Sequence, residues 1–400
     1  MSKQRILFLT FYFPPDLCAG SFRAGPLLNA LLEISSLDVE IDVISTLPNR
    51  YSGFAATAAA AEQHKRHTIR RIQLSAHQSG MLDQARTFRQ FCREVMQFTK
   101  GQHYDLVVAT SSRLMTAVLG AWIARRAKAP LYLDIRDIFV DTITDVLPKS
   151  LARVMSPFLN ALERWTIGRA SHVNLVSHGF ALYFESRYPA QSFSYHTNGI
   201  DDEFLRGLHA GTTTRSKPSG EIRVLYAGNM GEGQGLHAIV PELARRLRGR
   251  ATFRLIGDGS RRAQLESALA DAGDTSVVLV EPMSRDRLIK EYLAADVLFL
   301  HLNDYEAFKK VLPSKIFEYA ALGKPIWAGV AGYSAQFIRA EVDNAMVFPP
   351  CDVERAVRAF DALDLRTVPR EMFARKFSRR DIMRKLAADI LRFLRTESAS

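Results

Sequence analysis

Asp304–Gly329 reads DYEAFKKVLPSKIFEYAALGKPIWAG, and how this stretch folds decides how the rest of the chain is read. It follows an apolar run, Val297–Leu302, that reads as a buried strand. It then opens a short helix over Pro313–Leu322. Pro313 and Ser314 suit a helix entrance, where first-turn N–H groups point outward with the positive end of the helix dipole behind them. Such an end accepts an anion. Lys315 adds a mobile cation, and Glu318, one turn on, places a carboxylate beside the anion instead of on it. That combination suits a ligand carrying vicinal hydroxyls along with phosphate, as a nucleotide ribose does. A capped helix followed by the turn Gly323-Lys324-Pro325 is the plainer reading of the same residues.

Upstream of this stretch the chain alternates strand and helix. Ile222–Ala227, Ala251–Ile256 and Val277–Val280 read as strands, and Leu236–Arg248, Arg261–Ala272 and Arg285–Ala294 as amphipathic helices. An earlier series has the same form. Its strands are Ile6–Phe11, Val39–Ser45, Thr68–Leu74, Leu106–Thr110, Leu131–Ile135 and His172–Val176; its helices are Ala24–Glu33, Asp83–Lys100, Met115–Ala127 and Ser150–Arg169. Strands alternating with helices imply an α/β fold with parallel sheets covered on both faces. Between the two series, RGLHAGTTTRSKPSG (Arg206–Gly220) is polar, rich in Gly, Ser and Thr, and without periodicity. The sequence therefore predicts two tandem doubly wound, Rossmann-like domains, 1–205 and 221–365, joined by a linker at 206–220, with ligands in the cleft between them. Residues 366–400 are expected to form a basic C-terminal helix crossing back to the first domain. Ten Lys or Arg stand against three acids over Arg366–Arg395, a pattern that fits either a solvated helix face or a membrane contact.

Composition narrows the partners. Of 400 residues, 47% are apolar, enough for packed cores, and the net charge of +11 calls for an anionic partner: nucleic acid, an anionic membrane face or a phosphorylated ligand. Cys18, Cys92 and Cys351 are too few and too scattered for a disulfide framework or a thiolate metal cluster, which fits a reducing cytosol. Lys3 and Arg5 before ILFLTFYF resemble the start of a signal peptide, but the run ends at Pro14-Pro15 without a small-residue cleavage site and reads as the first strand. No apolar run reaches the ~18 residues that a membrane span needs.

Chemistry belongs in the loops that leave strand ends. Gly228-Asn229-Met230-Gly231-Glu232-Gly233-Gln234-Gly235 lies between a strand and a helix, where small residues let backbone N–H groups approach a phosphate. Its spacing is neither the dinucleotide fingerprint nor a P-loop. Gly257-Asp258-Gly259 repeats the arrangement more weakly and reads equally as a turn. In the first half, Ala19-Gly20-Ser21-Phe22-Arg23 is another small loop before a helix. Asp134-Ile135-Arg136-Asp137 ends an apolar strand with charges that are either an internal ion-pair network or, for Arg136 and Asp137, cleft residues. His172 and His178 flank the strand of SHVNLVSHG, where either can serve as a cap. No D-x-D pair, H-E-x-x-H or G-x-S-x-G occurs, which leaves metal-free electrostatic catalysis on a phosphate leaving group.

The ordered set FYFPPDLCAGSFRAG, LYLDIRDIF, HTNGID, VLYAGNMGEGQGL, RLIGDG and VLPSKIFEYAALGKPI resembles the family 4 glycosyltransferases of the GT-B fold. It is most similar to the bacterial surface-polysaccharide branch that includes the WbuB-type O-antigen amino-sugar transferases. The resemblance implies a cytoplasmic, peripheral inner-membrane enzyme of lipopolysaccharide or exopolysaccharide synthesis. Such an enzyme moves a hexosyl or N-acetylhexosaminyl group from a nucleotide-sugar, UDP-linked before GDP-linked, with retention and without a metal or other cofactor. Glu318 matches the second glutamate of the family's E-x7-E element, which binds the donor ribose, whereas Lys310 replaces the first. The backbone and side chains around Val311–Lys315, including Pro313 and Ser314, match the phosphate and donor-sugar loop. Gly228 and Asn229 match the diphosphate-facing loop, with Asn229 and Gln234 in place of the usual basic pair. Gly20 and Ser21 match the N-terminal loop over the donor, and Arg136-Asp137 the family's His-Asp site. The implied nucleotide-sugar-binding set also takes in Gly257 and Glu281; the implied catalytic set is Asp137, Arg136 and Lys315.

On that reading, preorganised N–H groups and Lys315 or Lys310 stabilise charge growing on the diphosphate, and the leaving phosphate accepts the acceptor's proton. The expected acceptor is a lipid-diphosphate-linked glycan at an anionic inner-membrane surface, with no nucleic acid. The helix DQARTFRQFCREVMQFTK carries Phe88, Phe91, Val95 and Phe98 on one stripe among Arg86, Arg89, Arg93 and Lys100, which fits either core packing or a membrane surface. A nucleotide-sugar 2-epimerase of the same fold and a non-catalytic nucleotide- or nucleic-acid-binding protein remain as alternatives.

Overall fold

The computed structural model describes residues 3–48, 57–74, 81–111, 114–138, 140, 149–205, 220–273 and 275–394. The chain forms two compact units, Met1–Thr197 with Arg380–Ser400, and Asn198–Arg379. The linker expected over 206–220 lies almost wholly outside the described residues.

The first unit is an eight-stranded sheet in the order β3-β4-β2-β1-β5-β6-β7-β8. Its strands are β1 Gln4–Leu9, β2 Val39–Thr46, β3 Ala61–Gln63, β4 His67–Ile72, β5 Leu106–Thr110, β6 Leu131–Ile135, β7 His172–Leu175 and β8 Phe193–Ser194. Every pairing is parallel except β3 with β4. The central strands β1, β5 and β6 are apolar runs because helices cover both faces. The helices are α1 Ala19–Ile34, α2 Met81–Phe98, α3 Leu114–Ala127, α4 Lys149–Ile167 and α5 Ala181–Arg187. β3 and β8 escape sequence reading because they are short edge strands with no apolar alternation of their own.

The second unit is an all-parallel six-stranded sheet in the order β11-β10-β9-β12-β13-β14. Its strands are β9 Ile222–Ala227, β10 Ala251–Ile256, β11 Val277–Val280, β12 Val297–His301, β13 Ile326–Gly329 and β14 Ala345–Phe348. Helices α6 Leu236–Arg246, α7 Arg262–Asp271, α8 Arg285–Ala294, α9 Lys315–Ala321, α10 Gly332–Glu341 and α11 Val353–Asp361 follow in turn. Numbered within this unit, the strand order is 3-2-1-4-5-6, the doubly wound arrangement whose topological switch falls between the first and fourth strands. Those strands are β9 and β12, followed by the Gly228 loop and the Asp304–Ser314 stretch respectively. Trp327, Phe299, Phe253 and Phe348 pack together in the core of this sheet.

One expectation changes, and one open alternative is decided. The C-terminal stretch is not one helix but two, α12 Glu371–Lys376 and α13 Arg379–Leu391. The break at Phe377-Ser378 lets Phe377 pack on Phe317 and Phe337, while the Phe377 carbonyl accepts from Ile200 N–H (2.8 Å) and Arg379 N–H donates to the Ile200 carbonyl (2.9 Å). Part of the basic face of α13 is paired, Arg384 and Arg380 with Glu33 of α1. The phenylalanine stripe of α2 points inward: Phe88 and Phe91 lie against Phe11, with Phe88, Phe91 and Val95 buried and Phe98 under the Arg70 guanidinium. Among the described side chains, that face is core packing.

Candidate active site

The carboxyl end of β9 turns into a loop built by backbone contact. Gly228 N–H donates to the Ile256 carbonyl and Met230 N–H to the Asp258 carbonyl, both at 2.9 Å. A Cβ on Gly257, where φ is +146°, would stand 1.9 Å from the Gly228 carbonyl oxygen, and one on Gly259 would meet the Met230 backbone at 2.6 Å. These two glycines let the Gly257 loop lie directly under the Gly228 loop. The loop then closes on itself: Asn229 Nδ2 donates to Gln234 Oε1 (2.7 Å), which also accepts from Gly231 N–H (3.3 Å), and Tyr226 OH donates to the Asn229 carbonyl (2.6 Å).

The exit of β12 fixes this loop from the other side. His301, fully buried, accepts at Nε2 from Cys351 N–H (3.0 Å), so its proton sits on Nδ1 and is donated to the Gln234 carbonyl (2.7 Å). Burial pushes its pKa down to about 4, so the ring is neutral in this role. Asn303 adds two ties, N–H to the Gly233 carbonyl and Nδ2 to the Glu232 carbonyl.

Beside the loop stands the group from the opening stretch. The helix α9 is shorter than expected: Pro313 and Ser314 precede it, and the N–H groups of Ile316 and Phe317 are taken by the Pro313 and Ser314 carbonyls at 3.2 Å. A tight first turn has replaced part of the outward-facing N–H array, so the site rests on side chains more than on a helix dipole. Lys315 Nζ donates to Glu318 Oε2 (2.8 Å) and to Tyr292 OH (2.9 Å), and Tyr292 OH, contributed by α8, donates to Glu318 Oε2 (3.3 Å). Tyr319 OH accepts from Ala227 N–H (3.1 Å), which fastens α9 to the end of β9 directly before Gly228. Burial alone would raise the Glu318 carboxyl, but Lys315 and then Arg285 hold it below its ordinary value; burial would lower Lys315, and Glu318 instead holds it above. Arg285, two turns before Tyr292 on α8, pairs with Asp201 and with Glu203 (2.8 Å), and Phe204 packs on Tyr292.

The remaining expected groups of this unit are more peripheral. Lys310 is half-buried at the end of the 3₁₀ turn Glu306–Lys309, before α9. The carbonyl of the following Val311 accepts from Ser334 Oγ. Glu281, just past β11, is mostly exposed and pairs with Arg262 (2.7 Å), whose other nitrogen reaches the Gly257 carbonyl (2.8 Å).

In the first unit Gly20 and Ser21 lie within the first turn of α1, not in a loop before it, because the helix already begins at Ala19. A Cβ on Gly20 would stand 3.0 Å from Arg136 Nη1 and 3.2 Å from Tyr12 Cβ, so glycine makes room for that guanidinium. Ser21 Oγ and Arg136 Nε are buried without a hydrogen-bond partner among the described residues. Buried polar atoms of this kind call for a further partner, whether a water, an ion or a ligand group. Burial pushes the neighbouring Asp137 carboxyl up to about 6, against the pull of Arg136. Asp134 belongs to an internal network instead: Arg23 grips it with Nε and Nη2, both 2.8 Å, and Asn174 Nδ2 donates to it at 2.7 Å, all three residues being buried. His172 faces Ser192 (2.8 Å) and Asp389 (3.4 Å).

Sequence reasoning missed Tyr292, Arg285, His301 and Arg23. For Arg23 a signal existed, since an aspartate ending an apolar strand needs a cationic partner. The other three sit inside ordinary helix or strand patterns.

Known proteins share this architecture. Residues 221–363 match the family model described as glycosyl transferases group 1, and residues 28–197 match the glycosyl transferase 4-like domain; together they cover more than three quarters of the chain. A colanic acid biosynthesis glycosyl transferase of Escherichia coli (strain K12), WcaI, is 29% identical over 180 residues, 43% of this chain and 44% of that protein, so the match spans less than half the length of this curated relative. Among solved structures, sucrose-phosphate synthase from Thermosynechococcus elongatus superposes with a TM-score of 0.67 at 14% identity, covering 97% of this chain and 94% of that one. HepE of Anabaena in complex with UDP-glucose gives 0.65 at 18% identity, covering 97% and 99%. At these identities the likeness shows the fold, two tandem Rossmann-like units of the GT-B type. With its first half matched by a glycosyl transferase 4-like model and its second by a group 1 glycosyl transferase model, the chain belongs to the family 4-like glycosyltransferases.

Proposed function

We propose that this protein transfers a hexosyl or N-acetylhexosaminyl group from a UDP-sugar to a lipid-linked or polysaccharide acceptor in cell-surface glycan synthesis, in the O-antigen branch similar to the WbuB-type enzymes. The observation that carries the reading is the Lys315–Tyr292–Glu318 group at the carboxyl ends of β9 and β12, beside the Gly228 loop, where a doubly wound sheet binds its ligand. Colanic acid synthesis in the relative's name supports the surface-glycan setting, and UDP and UDP-glucose in the HepE structures support the donor class.

Glu318 receives the ribose hydroxyls and Lys315 turns from Glu318 to the diphosphate, with Lys310 as a second cation. Backbone groups of Gly228 and Asn229 approach the diphosphate, Gln234 holds Asn229, and Pro313 and Ser314 line the sugar-side loop. Gly257 supports Gly228 from beneath, and Glu281 faces the nucleoside once released by Arg262. As the sugar–phosphate bond lengthens, negative charge grows on the diphosphate, and a preorganised donor there is worth about 3 kcal/mol of barrier. The leaving phosphate takes the proton of the incoming hydroxyl on the same face, which gives retention without a metal. Gly20, Ser21 and Arg136 bind polar groups of the substrate, and Asp137 orients the acceptor or the sugar hydroxyls.

The test incubates the protein with UDP- and GDP-sugars and a lipid-diphosphate-linked glycan, in buffer with EDTA, and reads the product's anomeric configuration by NMR. Transfer from a UDP-sugar with the donor's configuration kept is the expected result. Conversion of the donor without acceptor would replace this reading by an epimerase, and no turnover of any donor would overturn it.

A further inference from the structure

Ten large apolar side chains stand exposed among the described residues, and half of them share two adjoining helices of the first unit. On α4, Leu151, Val154 and Phe158 recur at helical spacing on one face, with Val154 75% and Phe158 66% exposed. On α3, Met115 and Trp122 lie one turn either side of Val118, and Val118 packs against the same buried cluster, Leu114, Val140 and Leu159, as Met155 and Leu162 of α4. The two apolar ridges therefore run next to each other. Around them Arg125, Arg126, Arg153 and Arg164 are exposed, with Arg126 over the Trp122 ring (5.7 Å). The acid balance is one-sided: α3 has no acidic residue, and the single acid of α4, Glu163, is buried and bonded to Tyr183 and Tyr188.

A solvated helix face carries charges of both signs and few large apolar groups. This face carries one sign and a protruding Phe, Val and Trp. An aromatic and aliphatic ridge inside an arginine rim fits the interface of an anionic bilayer, where apolar groups enter the acyl boundary and guanidinium groups meet lipid phosphates. No described helix is long and apolar enough to cross a membrane. We propose that the α3–α4 face docks the protein on an anionic lipid surface. The inference deepens the proposed transfer to a lipid-linked acceptor and names the surface that meets the membrane, in place of α2, whose apolar stripe is spent in the core.

The test is co-sedimentation of the full chain with phosphatidylglycerol-rich and pure phosphatidylcholine vesicles, at low and high salt. Wild type is expected to bind the anionic vesicles and to release them at high salt. Val154→Asp with Phe158→Asp, and separately Arg153→Glu with Arg164→Glu, are each expected to weaken binding by about tenfold or more. Charge reversal of Arg86, Arg89 and Arg93 on α2 is expected to have a much smaller effect. UDP-induced stabilisation, measured on every variant, should stay as in wild type, which separates failure of this inference from failure of the donor-site reading. Equal binding by the α4 variants, or loss only with the α2 variant, would overturn the proposal. So would a concentration-dependent dimer abolished by the α4 changes, since a second copy would then be the occupant.

Discussion

The Lys315–Glu318 pair can be weighed by a double-mutant cycle. Glu318 is buried and Lys315 keeps 22% of its side chain exposed, so this is a largely desolvated ion pair with Tyr292 as the third member. Removing one partner of such a pair strands the other charge, at a typical cost of 3–5 kcal/mol. The partial exposure of Lys315 places Glu318→Leu near the lower end, about 3 kcal/mol. Lys315→Met leaves Glu318 with Tyr292 and within reach of the Arg285 field, so about 2 kcal/mol is expected. The combined Lys315→Met, Glu318→Leu protein strands neither charge and should lie within about 1 kcal/mol of wild type, a coupling of about 4 kcal/mol. Urea unfolding followed by Trp327, buried in the same unit, in a background with Trp122→Phe and Trp165→Phe, measures each corner of the cycle. Additive losses, with the double variant about 5 kcal/mol less stable, would refute the claim that the two charges compensate each other in the nucleotide-free protein.

Three further outcomes follow from the same geometry. Asp137 has its folded pKa raised to about 6, so the fold favours its protonated form and loses stability as pH rises from the ordinary carboxylate range through that value; Asp137→Asn should therefore raise the melting temperature at about pH 8 and change it little near pH 4. His301 is the opposite case, with a folded pKa lowered from 6.5 to about 4, so the stability it supplies is present above pH 6.5 and lost as pH falls through that window. His301→Leu should cost about 2 kcal/mol at neutral pH, by unpairing Cys351 N–H and the Gln234 carbonyl, and progressively less in acid, as read from denaturant midpoints. Gly257→Ala must move the Gly228 carbonyl and should cost about 3 kcal/mol or more, with loss of nucleotide binding, whereas Gly273→Ala, with open space around it, should cost only about 1 kcal/mol in thermal melts.

Much of the fold is legible because buried parallel strands and amphipathic helices leave strong periodic signals. Leu106–Thr110, Leu131–Ile135, Ile222–Ala227, Ala251–Ile256 and Val277–Val280 are strands over the spans their apolar runs predict. Helix starts are less legible: α1 begins at Ala19, with Gly20 against the Arg136 guanidinium and Ser21 buried, tertiary contacts that local propensity does not carry. The glycine-rich strand exits stand out in the sequence, but their partners do not. In the sequence His301 looks like one more residue of the buried run Val297–Leu302 and Tyr292 like one aromatic of a helix, and only packing reveals that one anchors Gln234 and the other joins Lys315 to Glu318. Amphipathicity likewise cannot say which way a face points. The stripe on α2 turns to Phe11, whereas part of the apolar surface of α4 turns to solvent.

The central claim is that Glu318 and Lys315 hold the nucleotide of a UDP-sugar. Isothermal titration of UDP and GDP into wild type and into the Lys315→Met, Glu318→Leu protein tests it on a variant whose fold is expected to survive. The account predicts UDP binding by wild type in preference to GDP, and no measurable binding by the variant. Equal UDP affinity in the two proteins, or no binding of either nucleotide to wild type, would contradict it.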